Sequence, residues 1–202
     1  MDKLDLSKQH AADYAAGKEP SLVDIGPARY FAIEGQGEPG GEEFNEKLGL
    51  LYNMSFTAKM ASKASGRDYA VSKLEGLWWT QSGGEDYLAV PREEWRWKLL
   101  IRIPEFISEN DRQGALKTLA KRGKGGSVEQ VETLELTEGR CIQMLHIGPY
   151  SEEPASLAKM KQFAENHQLL YNGLHHEIYL GDPRRGDPAK LKTILRQPVR
   201  AL

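Results

Sequence analysis

Residues 173–180, GLHHEIYL, decide the fold and raise the first question about function. The stretch reads as a β-strand of apolar and aromatic residues, yet Glu177 stands in its middle. An earlier stretch at residues 76–80, GLWWT, begins with the same Gly-Leu pair. The two stretches look like two copies of one structural position.

Two further pairs of segments match in the same order along the chain. RYFAIEGQGEPGGEE at residues 29–43 aligns with RCIQMLHIGPYSEEP at residues 140–154, and KLLIRIP at residues 98–104 aligns with KTILRQP at residues 192–198. Each match alone is weak, but the shared order indicates an internal repeat. Each copy reads strand, helix, strand, strand.

The repeat predicts the domain organisation. Residues 1–20 read as an N-terminal extension, and residues 21–202 as one domain of two repeats, about 21–107 and 127–202. A helix at residues 108–122 and a glycine-rich joint, RGKGGS at residues 122–127, connect the repeats. Ser108 followed by Asp111 resembles a capping box at the start of that helix.

The repeat helices complete the fold prediction. Their apolar spacing predicts helices at roughly 42–65 and 154–170, with Gly173 as the stop of the second and Glu153 among the acids that suit its N-terminus. The sequence therefore predicts an α+β fold, with antiparallel sheet in each copy and helices on one face.

Composition excludes several classes of protein. The chain has 202 residues, 40% of them hydrophobic and 28% charged, with a net charge of −2. A chain with this near-neutral, slightly negative charge is not expected to bind nucleic acid or an anionic membrane through electrostatic attraction. We find no signal peptide and no apolar run long enough to span a bilayer. The sequence contains no metal or cofactor motif, and its one cysteine excludes an intramolecular disulfide. We expect a cytoplasmic protein that uses no cofactor or metal; the oligomeric state, monomer or homodimer, stays open.

Three blocks carry a family resemblance. The tail HHEIYLGDPRRGDPAKLKTILRQPV at residues 175–199, KLEGLWW at residues 73–79 and HIGPYSEEP at residues 146–154 resemble GyrI-like small-molecule-binding proteins. More narrowly, they resemble the Trp-Trp branch of cyclopropanoid cyclopropyl hydrolases. The resemblance covers the chain from about residue 21 to its end. Lys73 and Phe56 stand where that pattern has proline and tyrosine.

The resemblance implies a duplicated β-α-β-β domain with a ligand cleft at the pseudo-twofold seam between the copies. It also implies that Glu177 faces this cleft. Alternation along the strand puts Ile178 and Leu180 on the other face, so we expect those two to face the helices and Glu177 to point away from the helices. A carboxylate walled by aromatic rings loses hydration and becomes a better base near neutral pH, while its charge attracts cations. The residue alone therefore does not separate catalysis from binding.

Aromatic residues near this strand are the candidate ligand contacts. Adjacent strand residues point to opposite faces, so at most one of Trp78 and Trp79 lines the cleft, and alignment with His175 favours Trp78. The weaker candidates are explained as readily by a structural role; they are Tyr150, His146, Met54 and Tyr69. The full set of candidate ligand-binding residues is Trp78, Trp79, Trp97, Tyr150, His146, His175, Tyr179, Tyr69 and Met54.

Two functions stay open from the sequence, and the expected partner in both is a hydrophobic aromatic small molecule. The branch resemblance implies hydrolysis of cyclopropane-containing, flat aromatic DNA-alkylating natural products, with Glu177 activating water; this would detoxify them. The alternative is binding or sequestration of planar lipophilic or cationic molecules without chemistry. A protein-interaction role like that of gyrase-inhibiting relatives ranks third, because this near-neutral sequence offers no clear acidic groove.

Overall fold

The computed structural model describes residues 3–80, 90–124, 126–181 and 187–202, so residue 125 of the predicted joint lies outside the described part. The helices are α1 (Leu6–Gln9), α2 (Glu42–Ala64), α3 (Glu109–Lys121) and α4 (Glu153–Asn166). The strands are β1 (Ser21–Ile25), β2 (Ala28–Gln36), β3 (Leu74–Thr80), β4 (Trp95–Ile103), β5 (Glu132–Leu136), β6 (Gly139–Ile147), β7 (Leu169–Tyr171), β8 (His175–Tyr179) and β9 (Lys192–Ala201).

The described strands form one antiparallel sheet in the order β1-β6-β9-β8-β3-β4-β2-β5, with β7 added at the end of β9. This confirms the predicted α+β class. At the centre of the sheet β3 pairs directly with β8, which joins the two hairpins β3–β4 and β8–β9. In that pairing Gly76 lies opposite Glu177, and Trp78 lies opposite His175.

The sheet curls until its two ends meet. β1 pairs with β6 and β2 pairs with β5 in one continuous register, from Ile25 opposite Gly139 to Ala28 opposite Leu136. Residues 26–27 connect β1 to β2, and residues 137–138 connect β5 to β6. Each connection of two residues therefore joins strands near opposite ends of the strand order. The crossing carries Glu138, whose side chain contacts residues of β8 and β9 on the face away from the helices. That face is therefore enclosed by the curl; we call it the enclosed face.

The other face carries the helices, and we call it the helix face. α2 contacts β2 and β4, whereas α4 contacts β6 and β7. Trp97, Leu99 and Ile101 alternate along β4 onto the helix face and join a buried cluster with α2, as the period-two pattern predicts. A second cluster joins β6 and β9 to α4. The central pair β3–β8 thus lies in the valley between α2 and α4.

Two helix ends show what local sequence controls. α3 begins with the predicted capping box, in which Ser108 and Asp111 satisfy each other's backbone N–H groups. α4 is shorter than predicted: it ends at Asn166, Gln168 adopts φ 54°, and the next residues form β7. Gly173 lies after β7, where a side chain would meet the ring of Pro198, so it is not the helix stop that we expected.

The N-terminal extension docks on the enclosed face. The Asp13 carboxylate pairs with Arg102 at 2.8 Å, and the Tyr14 hydroxyl donates to Glu75 at 2.8 Å. Arg196 donates to the Asp13 carbonyl oxygen at 2.6 Å. These partners belong to β3, β4 and β9, so this part of the extension fastens the back of the central strands.

Candidate functional site

The valley above β3 and β8 gathers the chemically active side chains. We call this place the seam site and define it by Trp78, Glu153, His175, Glu177 and Tyr179. The cross-strand register puts the β3 and β8 members on the same face as Leu99 and Leu195, which pack under the helices. The expected orientation was therefore wrong in one respect. Glu177 lies on the helix face, and Ile178 lies on the enclosed face.

The physical reason is that both faces of these strands are covered. Ile178 is fully buried although it points away from the helices, because the curl of the sheet encloses that side. An apolar residue on a strand buried on both faces does not reveal which face the helices cover. Leu180 follows the end of β8 and is half-buried.

Glu177 is held within the seam site by its neighbours on β8. Its side chain is 5% exposed. The Tyr179 hydroxyl donates a hydrogen bond to Glu177 Oε2 at 2.7 Å, and His175 Nε2 lies 3.6 Å from Glu177 Oε1. All three alternate onto one face, so the strand itself sets their spacing. Burial and the charge of Glu177 raise the pKa of the Tyr179 hydroxyl, which stays protonated and donating.

Glu153 brings a second carboxyl group to the seam site from the first residue of α4. It is 6% exposed, and its Oε1 atom is buried without a hydrogen-bond partner. Burial and the negative charge of Glu177 raise the pKa of Glu153 to about 10. At neutral pH Glu153 is therefore protonated. From the sequence, Glu153 is only an acid at a helix N-terminus, because its electrostatic interaction with Glu177 depends on the tertiary fold.

Trp78 forms the aromatic side of the seam site, as alignment with His175 predicts. Its ring is nearly parallel to that of Phe44 from α2, with centroids 6.4 Å apart, and meets Trp95 edge-on at 5.9 Å. Gly76 makes this arrangement possible. A Cβ atom there would lie 3.0 Å from the indole nitrogen of Trp78 and 3.2 Å from the Tyr179 hydroxyl, so these two polar groups converge above a bare backbone. Sequence reasoning missed the role of Phe44.

The remaining candidates divide between the rim and the core. Tyr150 is 39% exposed and meets Tyr179 edge-on at 6.0 Å, so it lies at the rim of the seam site. Trp97 shares the helix face but is fully buried beneath Phe44 and donates to the carbonyl oxygen of Gly37. It supports the aromatic wall from below.

The structure does not bring four other candidates to Glu177. Trp79 points to the enclosed face and packs against a cluster around Leu77, because it alternates with Trp78. His146 contacts Ser156 and the Pro149 carbonyl oxygen beside α4, with β9 lying between its strand and β8.

The other two, Met54 of α2 and Tyr69, are fully buried in the core cluster between α2 and the sheet. Tyr69 also meets the ring of Phe106 edge-on at 6.0 Å, so its environment is a packed one.

The sequence also gave no sign of a charged network behind the seam site. His176 is fully buried on the enclosed face, 3.0 Å from a carboxylate oxygen of Glu75 and 3.0 Å from one of Glu138. The charge of Glu138 and hydrogen bonds to both acids outweigh burial and raise the pKa of His176 to about 9. Arg196 pairs with Glu138 at 2.8 Å. The network ties the crossing to β3, β8 and β9.

Two negative findings apply to the described residues. Among them, no group of three or more His, Cys, Asp or Glu side chains is arranged to hold a metal ion. Within the same ranges, no helix has the length and apolar character needed to cross a bilayer.

Cavities of about 600 and 690 Å³ lie away from Glu177. The first is beside α4 and is lined by His146, and the second lies between α2 and α3. The assignment of the seam site therefore rests on its side chains and their geometry.

Comparisons with known proteins agree with this fold. The model of the GyrI-like small molecule binding domain matches residues 108–200. A crystal structure of an uncharacterized conserved protein from Listeria innocua is 35% identical, with a TM-score of 0.91 over 98% of this chain and 100% of that chain. A crystal structure of a hydrolase from Listeria innocua is 34% identical, with a TM-score of 0.87 over the same shares.

A more distant likeness shows the fold alone. The C-terminal domain of EcmrR is 12% identical, with a TM-score of 0.57 over 91% of this chain and 98% of that chain. None of the curated proteins matches the chain.

Proposed function

Because the chain belongs to the family of GyrI-like small-molecule-binding domains, we propose that its seam site is a hydrolase site for flat aromatic molecules that carry a strained cyclopropane. One observation carries the proposal. Glu177 is buried on the same face as Trp78, and the Tyr179 hydroxyl fixes its orientation. The similarity to a hydrolase from Listeria innocua supports an enzyme over a passive binder.

The mechanism begins with stacking and water activation. The aromatic plane of the substrate packs against Trp78, which contributes about 0.5–1.5 kcal/mol per ring pair beyond area burial. Glu177 accepts a proton from a water molecule, and that water attacks the methylene carbon of the cyclopropane. The C–C bond of the ring breaks, and its electron pair moves through the conjugated dienone to the oxygen. The product is a phenol that carries the added hydroxyl group.

The proposed reaction makes a modest catalytic demand on the protein. Relief of ring strain supplies part of the driving force, so a positioned base contributing about 10²–10⁴-fold is enough for detoxification. The hydrogen bond from Tyr179 to Oε2 fixes the orientation of the Glu177 carboxyl group that acts as the base. His175, 3.6 Å from Oε1, limits the side from which the water approaches.

A second candidate function is binding without chemistry. A single ionised carboxylate among aromatic rings attracts planar cations as well as water. The same Glu177 and Trp78 would then act as counter-ion and stacking platform. Turnover, rather than affinity, separates the two functions.

Mass spectrometry after incubation with a duocarmycin-type cyclopropane compound tests the proposal. We expect the wild-type protein to add one water to the compound and the Glu177→Gln variant to add none, while the affinity of the variant stays within about tenfold. Glu165→Gln, on the exposed side of α4, is the control and should match wild type. Saturable quenching of tryptophan fluorescence without any water addition would reject the hydrolase and favour the binding function.

A further inference from the structure

Glu153 has an environment that water activation by Glu177 does not explain. It is the first residue of α4, where the helix dipole normally favours a negative charge. Its side chain is nevertheless buried, and one carboxyl oxygen has no hydrogen-bond partner. The neighbouring Glu152 is exposed, so the turn before α4 offers one acid to solvent and one to the seam site.

The groups that act on Glu153 determine its protonation state. Glu177 and Tyr179 act from β8, and Tyr150 lies in the turn that precedes α4. Burial and the charge on Glu177 together raise the pKa of Glu153 to about 10, and this exceeds the opposing effect of the helix dipole. Glu153 therefore carries a proton at neutral pH.

We propose, on the premise of the hydrolase function above, that Glu153 is the general acid that protonates the substrate oxygen as the cyclopropane opens. The oxygen receives the electron pair of the broken C–C bond and takes the proton of Glu153. Glu177 takes the proton of the attacking water. The sum is substrate plus one water giving a neutral phenol, with no outside oxidant or reductant.

The resting state returns by one proton transfer. After the reaction Glu177 is protonated and Glu153 is ionised, which reverses the starting arrangement. Because the two carboxyl groups interact in the same site, the proton passes back from Glu177 to Glu153 through water admitted as the product leaves. Two carboxyl groups with separated pKa values are the usual arrangement of an acid–base pair.

The tyrosines of the site are weaker donors. The Tyr179 proton is committed to Glu177 Oε2, and burial together with the charge of Glu177 raises the pKa of that hydroxyl further. Tyr150 is 39% exposed at the rim, where water competes for its hydroxyl. Glu153, with a pKa of about 10, is the stronger acid of the two buried groups, because the pKa of Tyr179 is raised well above 10.

A kinetic comparison of Glu153→Gln with Glu152→Gln tests the proposal. Glutamine keeps the shape of the side chain but has no proton to transfer. We expect Glu153→Gln to lower kcat by about 10²-fold or more with substrate affinity within about threefold, and Glu152→Gln to match wild type. The wild-type rate should also fall at alkaline pH as Glu153 ionises, and this alkaline limb should disappear in Glu153→Gln. Turnover of Glu153→Gln within about threefold of wild type would overturn the acid role.

Infrared difference spectroscopy between neutral and strongly alkaline pH tests the protonation state without turnover. Wild type and Glu152→Gln should show the carbonyl band of a protonated carboxylic acid, and Glu153→Gln should lack it. A band that persists in Glu153→Gln would reject the assignment. If wild type adds no water to the compound, the hydrolase function and the acid role both fall; if only the infrared result fails, the hydrolase function stands and the acid is another group.

Discussion

Gly35 supports the aromatic wall of the seam site because Trp97 lies directly on its backbone. A Cβ atom at this position would come within 2.2 Å of one ring carbon of Trp97 and within 2.6 Å of two others. Carbon atoms in contact normally stand about 3.5–4.0 Å apart, so Gly35→Ala requires the ring to withdraw by more than about 1 Å. The ring has little freedom, since its N–H donates to the carbonyl oxygen of Gly37 and it makes a T-shaped contact with the Phe44 ring, with centroids 5.1 Å apart.

The cost follows from these contacts. Overpacking a buried site costs about 1–3 kcal/mol, and loss of the Trp97 hydrogen bond adds about 1 kcal/mol, which gives about 2–4 kcal/mol for Gly35→Ala. For a chain of this size the loss corresponds to a fall in Tm of roughly 5–15 °C. Displacement of Trp97 also moves Phe44 and thereby Trp78, so the affinity for a planar ligand should fall by about tenfold or more.

Thermal unfolding and quenching of tryptophan fluorescence measure both effects. The matched control is Gly114→Ala in α3, where nothing lies within 4 Å of the new Cβ. That variant should be more stable by about 0.8–1 kcal/mol, because alanine favours the helix over glycine. A Gly35→Ala protein with unchanged Tm and unchanged ligand affinity would refute the claim that Trp97 supports the wall.

Three further predictions concern the buried acids and the N-terminal extension. Glu153→Gln should be more stable than wild type at pH 8, by on the order of 1–3 kcal/mol. Above pH 4.5 the unfolded wild-type chain gains free energy by ionising Glu153, whereas the folded protein keeps this group protonated. Equal stability of the two proteins in urea at pH 8 would contradict this. His176 stabilises the fold fully below pH 6.5 and loses this effect as pH rises through about 9, so urea stability should fall over that window, and less so in Glu138→Gln; a flat profile would contradict this role of His176 in the charged network. Tyr14→Phe should cost about 1–3 kcal/mol in urea unfolding because it leaves Glu75 without its hydroxyl donor; no loss would mean that the extension does not fasten the sheet.

Local sequence was enough for the central strands and for the choice between the two tryptophans. Apolar runs and turn residues identified both hairpins, and period-two alternation separated Trp78 from Trp79. The match between residues 76–80 and 173–180 was also informative, since β3 and β8 lie side by side at the centre of the sheet. The internal repeat stays an interpretation of the sequence.

The facing of Glu177 and the role of Glu153 depended on tertiary structure. Ile178 marked an apolar face, but the curl of the sheet buries that face as fully as helices would. Glu153 matched the ordinary preference for acids at a helix N-terminus, and only the tertiary fold makes it a buried acid that interacts with Glu177. The placement of Tyr14 likewise rests on partners far away in the sequence.

A single turnover in heavy-oxygen water, with wild type beside Glu177→Gln, tests the central claim most directly. If Glu177 activates water, the first product formed by wild type carries the heavy oxygen on the former ring methylene, the protein mass is unchanged, and the variant forms no product. Product without heavy oxygen, a covalent adduct on Glu177, or equal turnover by the variant would contradict the proposed mechanism.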